Sequence, residues 1–329
     1  MKYLSLFSGI EAATVAWQDF GWECVGVSEI DAFPCEVLKQ RYPHIPNLGD
    51  ITQITQETLD ELGTIDIVVG GSPCQAFSTA GNRAGLNDPR GRLMYDYIRV
   101  VDTVRPKWFI WENVPGVLSQ DKGRAFGTLL RALADIGYSL CWRVLDAQHF
   151  GVPQRRRRVF LVGHLGTDRE CAAKVLFDPY CLGRGFKTST EERKDHSTQT
   201  EGSVGNDSQQ IAYNITFNDA NGRRKDRPHG GCYINETNTS NAITTGGVSD
   251  TRIVEQATHY NIRRLTPLEC ERLQGFPDNH TCIEWRGKPA DQCPDGHRYK
   301  ALGNSMAVPV MRWIGHNIQQ YDERFYLPW

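Results

Sequence analysis

The sequence lacks the features of secreted and membrane proteins. It has ten cysteines but no Cys-x-x-Cys pair, so we expect reduced thiols instead of a disulfide framework. No uninterrupted apolar run approaches the roughly 18 residues of a membrane span. Glu11 and Asp19 interrupt the N-terminal apolar stretch that a signal peptide would need. These absences predict a cytoplasmic protein.

The chain also lacks a large net charge. Its 37 Lys and Arg residues nearly balance its 39 Asp and Glu residues, giving a formal charge of -2. A chain-wide electrostatic attraction to nucleic acid is therefore excluded, and any such binding must come from local basic clusters. With 329 residues, 40% of them hydrophobic and 23% charged, the composition is that of a soluble globular protein with about two domains.

Short apolar runs alternate with stretches of helical spacing over the first 165 residues. The predicted strands are residues 3–7, 24–28, 65–69, 108–111 and 159–162, and the predicted helices are residues 10–20, 93–104 and 125–136. This alternation predicts an α/β fold with a parallel sheet covered by helices on both faces. Ligands of such sheets gather at the carboxyl ends of the strands, where Gly9, Glu29, Gly71 and Glu112 stand.

The composition changes after residue 165, which indicates a second, smaller domain. Residues 183–210 contain few large apolar side chains, so we expect this segment to be mobile. Thr266-Pro267-Leu268-Glu269 then has the residues of a helix capping box. We predict a catalytic and cofactor-binding domain at 1–165, completed by 259–329, with a small domain inserted at 166–258.

A tight turn and two acidic residues form the first candidate ligand site. Phe7-Ser8-Gly9 follows the first strand, and such a turn lets a ligand approach the backbone at a helix N-terminus. Glu29 ends the second strand, where a carboxylate can accept hydrogen bonds from ribose hydroxyls. Asp50 could similarly meet an adenine amino group. The turn is also typical of plain packing, and the full dinucleotide glycine fingerprint is missing. The pattern therefore disfavours a nicotinamide enzyme and leaves a nucleoside-like cofactor open.

Cys74 stands out from the other cysteines because of its surroundings. Gly70-Gly71-Ser72-Pro73 brings it to the ligand-binding edge of the sheet, where a thiolate could attack a substrate. Glu112 ends another strand at the same edge, and a protonated carboxyl there could donate to a ring nitrogen. The alternative is a small buried cysteine, which is our interpretation of the other nine.

Four consecutive arginines, Arg155 to Arg158, precede the strand that begins at Val159. Strand alternation would place Arg156 and Arg158 on one face and Arg155 and Arg157 on the other. One pair could then line the site while the other meets phosphate or solvent. A solvated run of charge is the alternative.

Together these elements resemble the cytosine-5 DNA methyltransferases of bacteria and their phages. The shared motifs occur along the whole chain in the family's order: Leu6-Phe7-Ser8-Gly9, Glu29, Gly49-Asp50-Ile51, Gly71-Ser72-Pro73-Cys74-Gln75, Glu112-Asn113-Val114, Gln154-Arg155-Arg156-Arg157-Arg158, Arg263-Arg264-Leu265-Thr266-Pro267-Leu268-Glu269, Gln274-Gly275-Phe276-Pro277 and Gly303-Asn304-Ser305. The resemblance implies a Rossmann-like S-adenosylmethionine-dependent methyltransferase sheet, with a target-recognition domain at 166–258.

The resemblance also implies a covalent mechanism on a cytosine flipped out of duplex DNA. Cys74 would add to C6 of the base and Glu112 would hold or protonate N3. Arg158, with Arg156 nearby, would contact the base or orient the site. S-adenosylmethionine would supply the methyl group, and its predicted contacts are Phe7, Gly9, Glu29, Asp50, Ile51, Pro73, Asn304 and Ser305.

Two positions depart from the family's pattern. Ile30 stands where several members place an aromatic residue that stacks on adenine. Ala80 stands where one well-known member has a serine that enters the vacated DNA helix. Adenine packing is therefore expected to be weaker or purely aliphatic, and the residue that fills the gap left by the flipped base stays open.

Basic residues in two segments are the candidate DNA contacts. Arg83 and Arg90 lie in the loop after Cys74, which we predict to close over DNA as a lid. Arginine typically reads guanine and lysine more often meets phosphate. The candidates in the inserted domain are Arg223, Arg224, Lys225 and Arg227. Solvated surface segments are the alternative for both groups.

No bound metal ion is expected. The spacing of the four candidate ligands fits no familiar zinc pattern. These candidates are His280, Cys282, Cys293 and His297. Two alternative functions are a tRNA cytosine-5 methyltransferase and a catalytically silent DNA-binding relative. The tRNA enzymes typically have Cys-Phe-Thr after the Glu-Asn-Val motif, whereas Val114 is followed here by Pro115-Gly116-Val117. The intact catalytic motifs disfavour a silent relative. A monomer is the simplest expectation, and the sequence leaves open a cognate restriction endonuclease or a phage self-protection role.

Overall fold

The structure, a computed structural model, describes residues 1–73, 89–166, 169–177, 210–217, 232–236, 240–241, 251–256 and 260–326. The chain divides into two compact units. The first comprises Met1–Leu145, Arg157–Gly185 and Val310–Trp329, and the second comprises Asp146–Arg156 and Phe186–Pro309. This division differs from the predicted boundaries, which assigned all of 259–329 to the catalytic domain. The functional domain boundaries stay a prediction.

A six-stranded sheet runs through the first unit. Its strands are β1 (Lys2–Leu6), β2 (Glu23–Ser28), β3 (Ile67–Gly70), β4 (Trp108–Asn113), β5 (Tyr138–Asp146) and β7 (Arg157–Leu165). The order is β2-β1-β3-β4-β7-β5, and β2, β1, β3 and β4 pair in parallel. The α/β class is confirmed, and the predicted parallel sheet is correct for these four strands but wrong for β7, which is antiparallel to β4. Only residues 147–156 separate β5 from β7, which is shorter than the dozen or more residues of a parallel crossover.

Nine helices lie in the described parts of the chain. They are α1 (Ala12–Trp17), α2 (Ala32–Arg41), α3 (Gln56–Glu61), α4 (Pro89–Val104), α5 (Arg124–Asp135), α6 (Arg169–Phe177), α7 (Pro267–Gln274), α8 (Asp295–Asn304) and α9 (Val308–Tyr326). Helices α1 to α5 connect successive strands of the sheet, as expected for an α/β fold. None of the helices within these ranges is long and apolar enough to cross a membrane.

Helices cover both faces of the sheet. On β4, Phe109 and Trp111 belong to a buried cluster that includes Phe126 of α5, whereas the Trp108 ring lies 6.2 Å from the Tyr321 ring of α9. All three β4 side chains are fully buried. A continuous apolar run of this kind is typical of a strand covered on both faces.

The C-terminal helix packs closely against α1. Trp17 Nε1 donates a hydrogen bond to the Met311 carbonyl over 2.9 Å. A Cβ added at Gly315 would lie 2.3 Å from Trp17 Nε1, so a larger residue there would force the helices apart. The last helix thus contributes to the core of the first unit.

The second unit contains the remaining strands. They are β6 (Gln154–Arg155), β8 (Gln210–Phe217), β9 (Cys232–Glu236), β10 (Ser240–Asn241), β11 (Thr251–Gln256) and β12 (Tyr260–Arg264). Four of them form an antiparallel sheet in the order β12-β11-β8-β9, and β6 pairs in parallel with β10. Most of the predicted mobile segment, 183–210, lies outside the described residues.

A capping box and a buried ion pair order the start of α7 and the chain after it. Thr266 Oγ1 accepts from the Glu269 N–H, and the Glu269 carboxylate accepts from the Thr266 N–H, so the predicted capping box is confirmed. Glu271 is completely buried, but it pairs with Arg298 over 3.1 Å and accepts from the Thr281 N–H over 2.8 Å. Pairing and hydrogen bonding offset the cost of burying this carboxylate.

Candidate active site

The turn between β1 and α1 has an unusual backbone. Phe7, Gly9 and Glu11 have positive φ values of 52°, 56° and 64°, a region that costs energy for residues other than glycine. Glu11 caps α1 by accepting from the Thr14 N–H over 3.1 Å. A Cβ added at Gly9 would meet no atom within 4 Å. The turn therefore leaves open space beside the Gly9 backbone.

Glu11, at the end of this turn, is a buried titratable group. Burial raises the pKa of its carboxyl to about 7, against the opposing effect of the hydrogen bonds to Ser5 and Thr14. Burial and then the charge of Glu11 also raise the pKa values of Tyr3, Cys24 and Tyr42. Burial therefore favours the protonated form of each of these four acids.

Glu29 closes the turn from the end of β2. Its Oε2 accepts from the Gly9 N–H over 2.8 Å, and its Oε1 accepts from the Ile30 and Asp31 N–H groups over 2.8 and 2.7 Å. An ionised carboxylate has about four acceptor positions. The hydrogen bonds among the described residues occupy three, so one more donor, such as a ribose hydroxyl, can be accepted without rearrangement.

Asn47 joins the Glu29 segment to the next turn. Its Oδ1 accepts from the N–H groups of Glu29 and Gly49 over 3.1 and 3.0 Å. Its Nδ2 donates to the Glu29 carbonyl over 3.1 Å. One side chain therefore fixes the spacing between two of the predicted cofactor motifs.

Asp50 and Ile51 lie on that second turn. Asp50 Oδ1 accepts from the Thr52 N–H over 2.9 Å and so caps the 3-10 turn Ile51–Gln53. Ile51 is only 3% exposed and anchors the turn in the core. The structure thus places Glu29 and Asp50 on neighbouring loops, while their contact with a cofactor stays a prediction.

The segment that precedes Cys74 is fixed to the end of β4. Asn113 Nδ2 donates to the Ser72 carbonyl over 2.8 Å. A Cβ added at Gly71 would lie 2.6 Å from the Glu112 carbonyl oxygen and 3.1 Å from its Oε2, so this approach requires glycine. Pro73 is exposed at the end of this segment. The cysteine itself lies outside the described residues.

Glu112 and Arg158 form a shielded ion pair. Arg158 Nε lies 3.1 Å from Glu112 Oε1, and the two side chains are 16% and 11% exposed. Limited solvent strengthens such an interaction compared with one at the surface. The guanidinium therefore orients the carboxylate beside the Gly71 backbone, at the carboxyl end of β4.

The four arginines alternate as expected for an extended chain. Arg155 and Arg157 are exposed, whereas Arg156 is buried and Arg158 is half-buried. The strand periodicity therefore separated the inward pair from the outward pair correctly.

The two inward arginines have different partners. Arg156 is 2% exposed and its Nη2 donates to the carbonyls of Gly303, over 3.0 Å, and Ser305. These carbonyls flank Asn304, which is exposed, whereas Ser305 is 5% exposed. The predicted base contact of Arg156 is untested, and its observed bonds orient the Gly303–Ser305 segment of the second unit.

Several predicted site residues lie outside the described part of the structure. The placement of Arg90 in the loop after Cys74 is wrong, because the helix α4 already begins at Pro89. The side chain of Arg90 lies outside the described part of the structure. The predicted site residues that lie wholly outside it are Cys74, Arg83, Arg223, Arg224, Lys225 and Arg227. Ala80 lies outside it as well.

The cysteines and histidines after α7 show no metal-binding geometry. In the described ranges, no group of three or more His, Cys, Asp and Glu residues is placed to hold a metal ion. Cys282 Sγ donates to the Ala290 carbonyl over 3.1 Å, and Cys293 Sγ lies 3.7 Å from the Thr281 carbonyl. These thiols have backbone partners.

Comparison with known families identifies the family of the chain. Residues 1–320 match the family model described as C-5 cytosine-specific DNA methylase. The chain belongs to this family. The predicted family and enzyme class, a DNA cytosine methyltransferase, are therefore confirmed.

Named relatives of this methylase include phage and bacterial proteins. It is 32% identical to the Type II methyltransferase M.HpaII of Haemophilus parainfluenzae, covering 96% of this chain and 88% of the relative. It is 29% identical to M.DsaV of Dactylococcopsis salina, covering 98% and 86%. A protein of Escherichia phage P1 named DNA N-6-adenine-methyltransferase is 30% identical over 96% of this chain, which spans only 61% of that relative.

Solved structures of methyltransferases share the fold of this methylase. The S. pombe Dnmt2 methyltransferase has a TM-score of 0.69 at 20% identity, covering 99% of this chain and all of the other. A putative DNA modification methyltransferase from an E. coli prophage has a TM-score of 0.63 at 17% identity, covering 98% and 99%. The Rossmann-like methyltransferase fold is thereby confirmed.

The motifs of this methylase did not reveal all of its site. Asn47 was missed, although an asparagine two residues before a glycine is a common turn signal. The hydrogen bond from Asn113 to Ser72 was also missed, because only the fold brings these two segments together.

Proposed function

We propose that this methylase transfers a methyl group from S-adenosylmethionine to C5 of a cytosine flipped out of duplex DNA. One observation supports this most directly: Arg158 holds the Glu112 carboxylate beside Gly71, three residues before Cys74. We thereby predict three groups at one edge of the sheet: the Cys74 thiol as nucleophile, the Glu112 carboxyl group that contacts the pyrimidine ring, and the Arg158 guanidinium as cation.

The residues at the carboxyl ends of β1 and β2 fit the nucleoside part of this cofactor. Glu29 retains one acceptor position by the count above, and the backbone beside Gly9 is open. We infer that Glu29 binds the ribose, that Asp50 and Ile51 meet the adenine, and that Phe7 and Gly9 approach the cofactor. When bound, S-adenosylmethionine supplies an electrophilic methyl group.

Three more residues complete the proposed cofactor set. Pro73 ends the described segment before Cys74, and its exposed ring is available for contact. Asn304 and Ser305 are assigned by their motif, and the Arg156 hydrogen bonds to Gly303 and Ser305 support this by ordering the backbone around Asn304.

The proposed chemistry begins at Cys74. An ordinary thiol has a pKa of about 8.5, so its proton must leave before attack. Sγ then bonds to C6, and the C5–C6 π electrons move to C5. C5 would take the methyl group as the bond between that group and the cofactor sulfur breaks, which leaves its electron pair on S-adenosylhomocysteine. C5 afterwards loses its proton, the double bond re-forms, and the bond between Sγ and C6 breaks. Glu112 holds or protonates N3 during addition through a proton on its carboxyl group, and Arg158 keeps the Glu112 side chain in place.

DNA contacts and partners are proposed from sequence. Flipping the base costs a few kcal/mol and requires compensating contacts with the duplex. We assign these contacts to Arg83, Arg90, Arg223, Arg224, Lys225 and Arg227. The chain is proposed to act as a cytoplasmic monomer, with a cognate restriction endonuclease as the partner to be sought.

Product analysis tests the proposal. The purified chain is incubated with unmethylated plasmid and labelled S-adenosylmethionine, and the DNA is digested to nucleosides. We expect labelled 5-methylcytosine, and none from Cys74→Ser, which should still bind cofactor because the thiol is not a cofactor ligand. Label in N6-methyladenine would instead match the name of the phage P1 relative. Label only in a parallel tRNA reaction would establish the RNA alternative.

Covalent trapping separates the proposed enzyme from a silent DNA-binding relative. Duplex DNA with 5-fluorocytosine cannot lose a proton at C5, so the adduct with Cys74 should accumulate and survive denaturing electrophoresis. The Cys74→Ser variant is the matched control. A wild-type protein that binds DNA and cofactor without forming this adduct would favour the silent relative. Bisulfite sequencing of DNA from expressing cells then gives the recognised sequence.

A further inference from the structure

Arg99 of α4 forms three hydrogen bonds that have no role in the proposed mechanism. Its Nη1 donates to the Ile54 carbonyl and its Nη2 to the Ile51 carbonyl, both over 2.7 Å. Its Nε donates to Asp96 Oδ1 over 3.3 Å. A guanidinium is a rigid planar fork, so these three bonds define the position of the Ile51 and Ile54 carbonyls relative to α4.

The turn held by Arg99 has few hydrogen bonds of its own. Ile51–Gln53 is one short 3-10 turn, closed by the Gln53 N–H to the Asp50 carbonyl over 2.9 Å and the Ile54 N–H to the Ile51 carbonyl over 3.3 Å. Such short turns have poorer hydrogen-bond geometry than an α-helix. External bonds to its carbonyls therefore contribute substantially to its conformation.

Asp96 holds Arg99 in place. The Asp96 side chain is 9% exposed, whereas that of Arg99 is 39% exposed. The carboxylate is thus fixed within the helix packing, and the guanidinium extends from it to the turn. An arginine that only balanced the charge of Asp96 would need no bonds to the Ile51 and Ile54 carbonyls.

We propose that Arg99 is a positioning residue for the adenine end of the cofactor site. By holding the carbonyls of Ile51 and Ile54, it sets the direction in which Asp50 leaves the turn. In this role Arg99 acts through the turn and is not itself a cofactor ligand. This inference rests on the proposed cofactor role of Asp50 and Ile51.

Calorimetric binding of S-adenosylhomocysteine to the full chain tests this role. Arg99→Gln should weaken binding about tenfold, because the charged bonds to both carbonyls are lost. Arg99→Lys should weaken it less, since an ammonium can retain a bond to one carbonyl. The kcat at saturating S-adenosylmethionine should stay within about twofold of wild type, so the effect appears in KM. Arg131→Gln, a change at a side chain that is 84% exposed, is the matched control and should bind normally.

A double-mutant cycle distinguishes positioning from general destabilisation. If Arg99 acts through Asp50, then Arg99→Gln should weaken binding much less in an Asp50→Ala background than in wild type. Additive losses, or unchanged binding by folded Arg99→Gln, would overturn the proposal. If that variant does not fold, Arg99→Lys and Asp96→Asn carry the same cycle. A wild-type chain that binds cofactor but does not methylate cytosine would contradict the proposed function alone.

Discussion

Arg158 Nε lies 3.1 Å from Glu112 Oε1, across the antiparallel strands β7 and β4. The pair connects the arginine-rich motif to the Glu112-Asn113-Val114 motif, which are separated by about forty residues in the sequence. Because both side chains are largely shielded from solvent, their attraction is screened less than that of an ion pair at the surface. We therefore expect them to act as one unit in catalysis.

Replacing Arg158 should slow methyl transfer and leave cofactor binding nearly unchanged. Arg158→Gln removes the cation that orients Glu112, and loss of one such electrostatic partner costs about 10²–10³ in kcat. Single-turnover methylation gives the rate, and calorimetry gives the cofactor affinity. Arg157→Gln is the matched control, because its exposed side chain should contribute little to the chemical step. A rate equal to wild type in folded Arg158→Gln would contradict the assigned role.

Gly71→Ala should inactivate the enzyme through the backbone. The new Cβ would lie 2.6 Å from the Glu112 carbonyl oxygen, so either β4 or the segment leading to Cys74 must move. A displacement of about 1 Å in a catalytic group can cost about 10² in rate. The measurement is the rate of adduct formation with 5-fluorocytosine DNA.

A second glycine provides the control for this substitution. A Cβ at Gly127, inside α5, would meet no atom within 4 Å. Gly127→Ala should therefore keep full activity and raise the free energy of unfolding by about 0.5–1 kcal/mol. Equal rates of adduct formation in the two variants would show that the close contact between the backbone of Gly71 and Glu112 has no effect on catalysis.

The sequence predicted the strand ends of this site better than the contacts between them. Apolar runs ending at Gly9, Glu29 and Glu112 placed these residues at the carboxyl ends of strands, because strand period and turn residues are local signals. The antiparallel direction of β7 was missed, since it depends on which strand pairs with β4. Pairing is a long-range property that apolar runs do not encode.

The arginine motif shows the same limit. Alternation predicted that Arg156 and Arg158 share one face of the strand, and both are less exposed than Arg155 and Arg157. It did not predict that Arg158 pairs with Glu112 while Arg156 bonds to the Gly303 and Ser305 carbonyls. Partner choice depends on segments that meet only in the folded chain.

Ile30→Trp should tighten cofactor binding. Ile30 is 71% exposed and directly follows Glu29. The family resemblance implies an aromatic residue that stacks on adenine at this position. A stacked ring is worth about 0.5–1.5 kcal/mol beyond its buried area, or about 2- to 13-fold in affinity. Calorimetry with S-adenosylhomocysteine checks this, with Ile30→Thr as the polar control that should bind no more tightly than wild type. Unchanged affinity in Ile30→Trp would mean that adenine does not lie over this side chain.

Glu11→Gln should change how stability depends on pH. Burial raises the pKa of the Glu11 carboxyl from 4.5 to about 7 in the folded chain, and the unfolded chain keeps the ordinary value. Between these pH values the folded state binds more protons than the unfolded state. The contribution of Glu11 to stability is therefore fully present below about pH 4.5, falls as the pH rises to about 7, and is constant above that.

Glutamine removes this titration but keeps an oxygen that can accept from the Thr14 N–H. The free energy of unfolding of Glu11→Gln minus that of wild type should therefore rise by about 2–3 kcal/mol between pH 5 and pH 8. Urea unfolding at a series of pH values measures this difference, and it cancels the titration of groups that both proteins share. The charge of Glu11 also raises the pKa values of Tyr3, Cys24 and Tyr42, but these three groups stay protonated throughout this range. A difference that does not change with pH would mean that the Glu11 carboxylate is stabilised by its hydrogen bonds as well in the fold as in water.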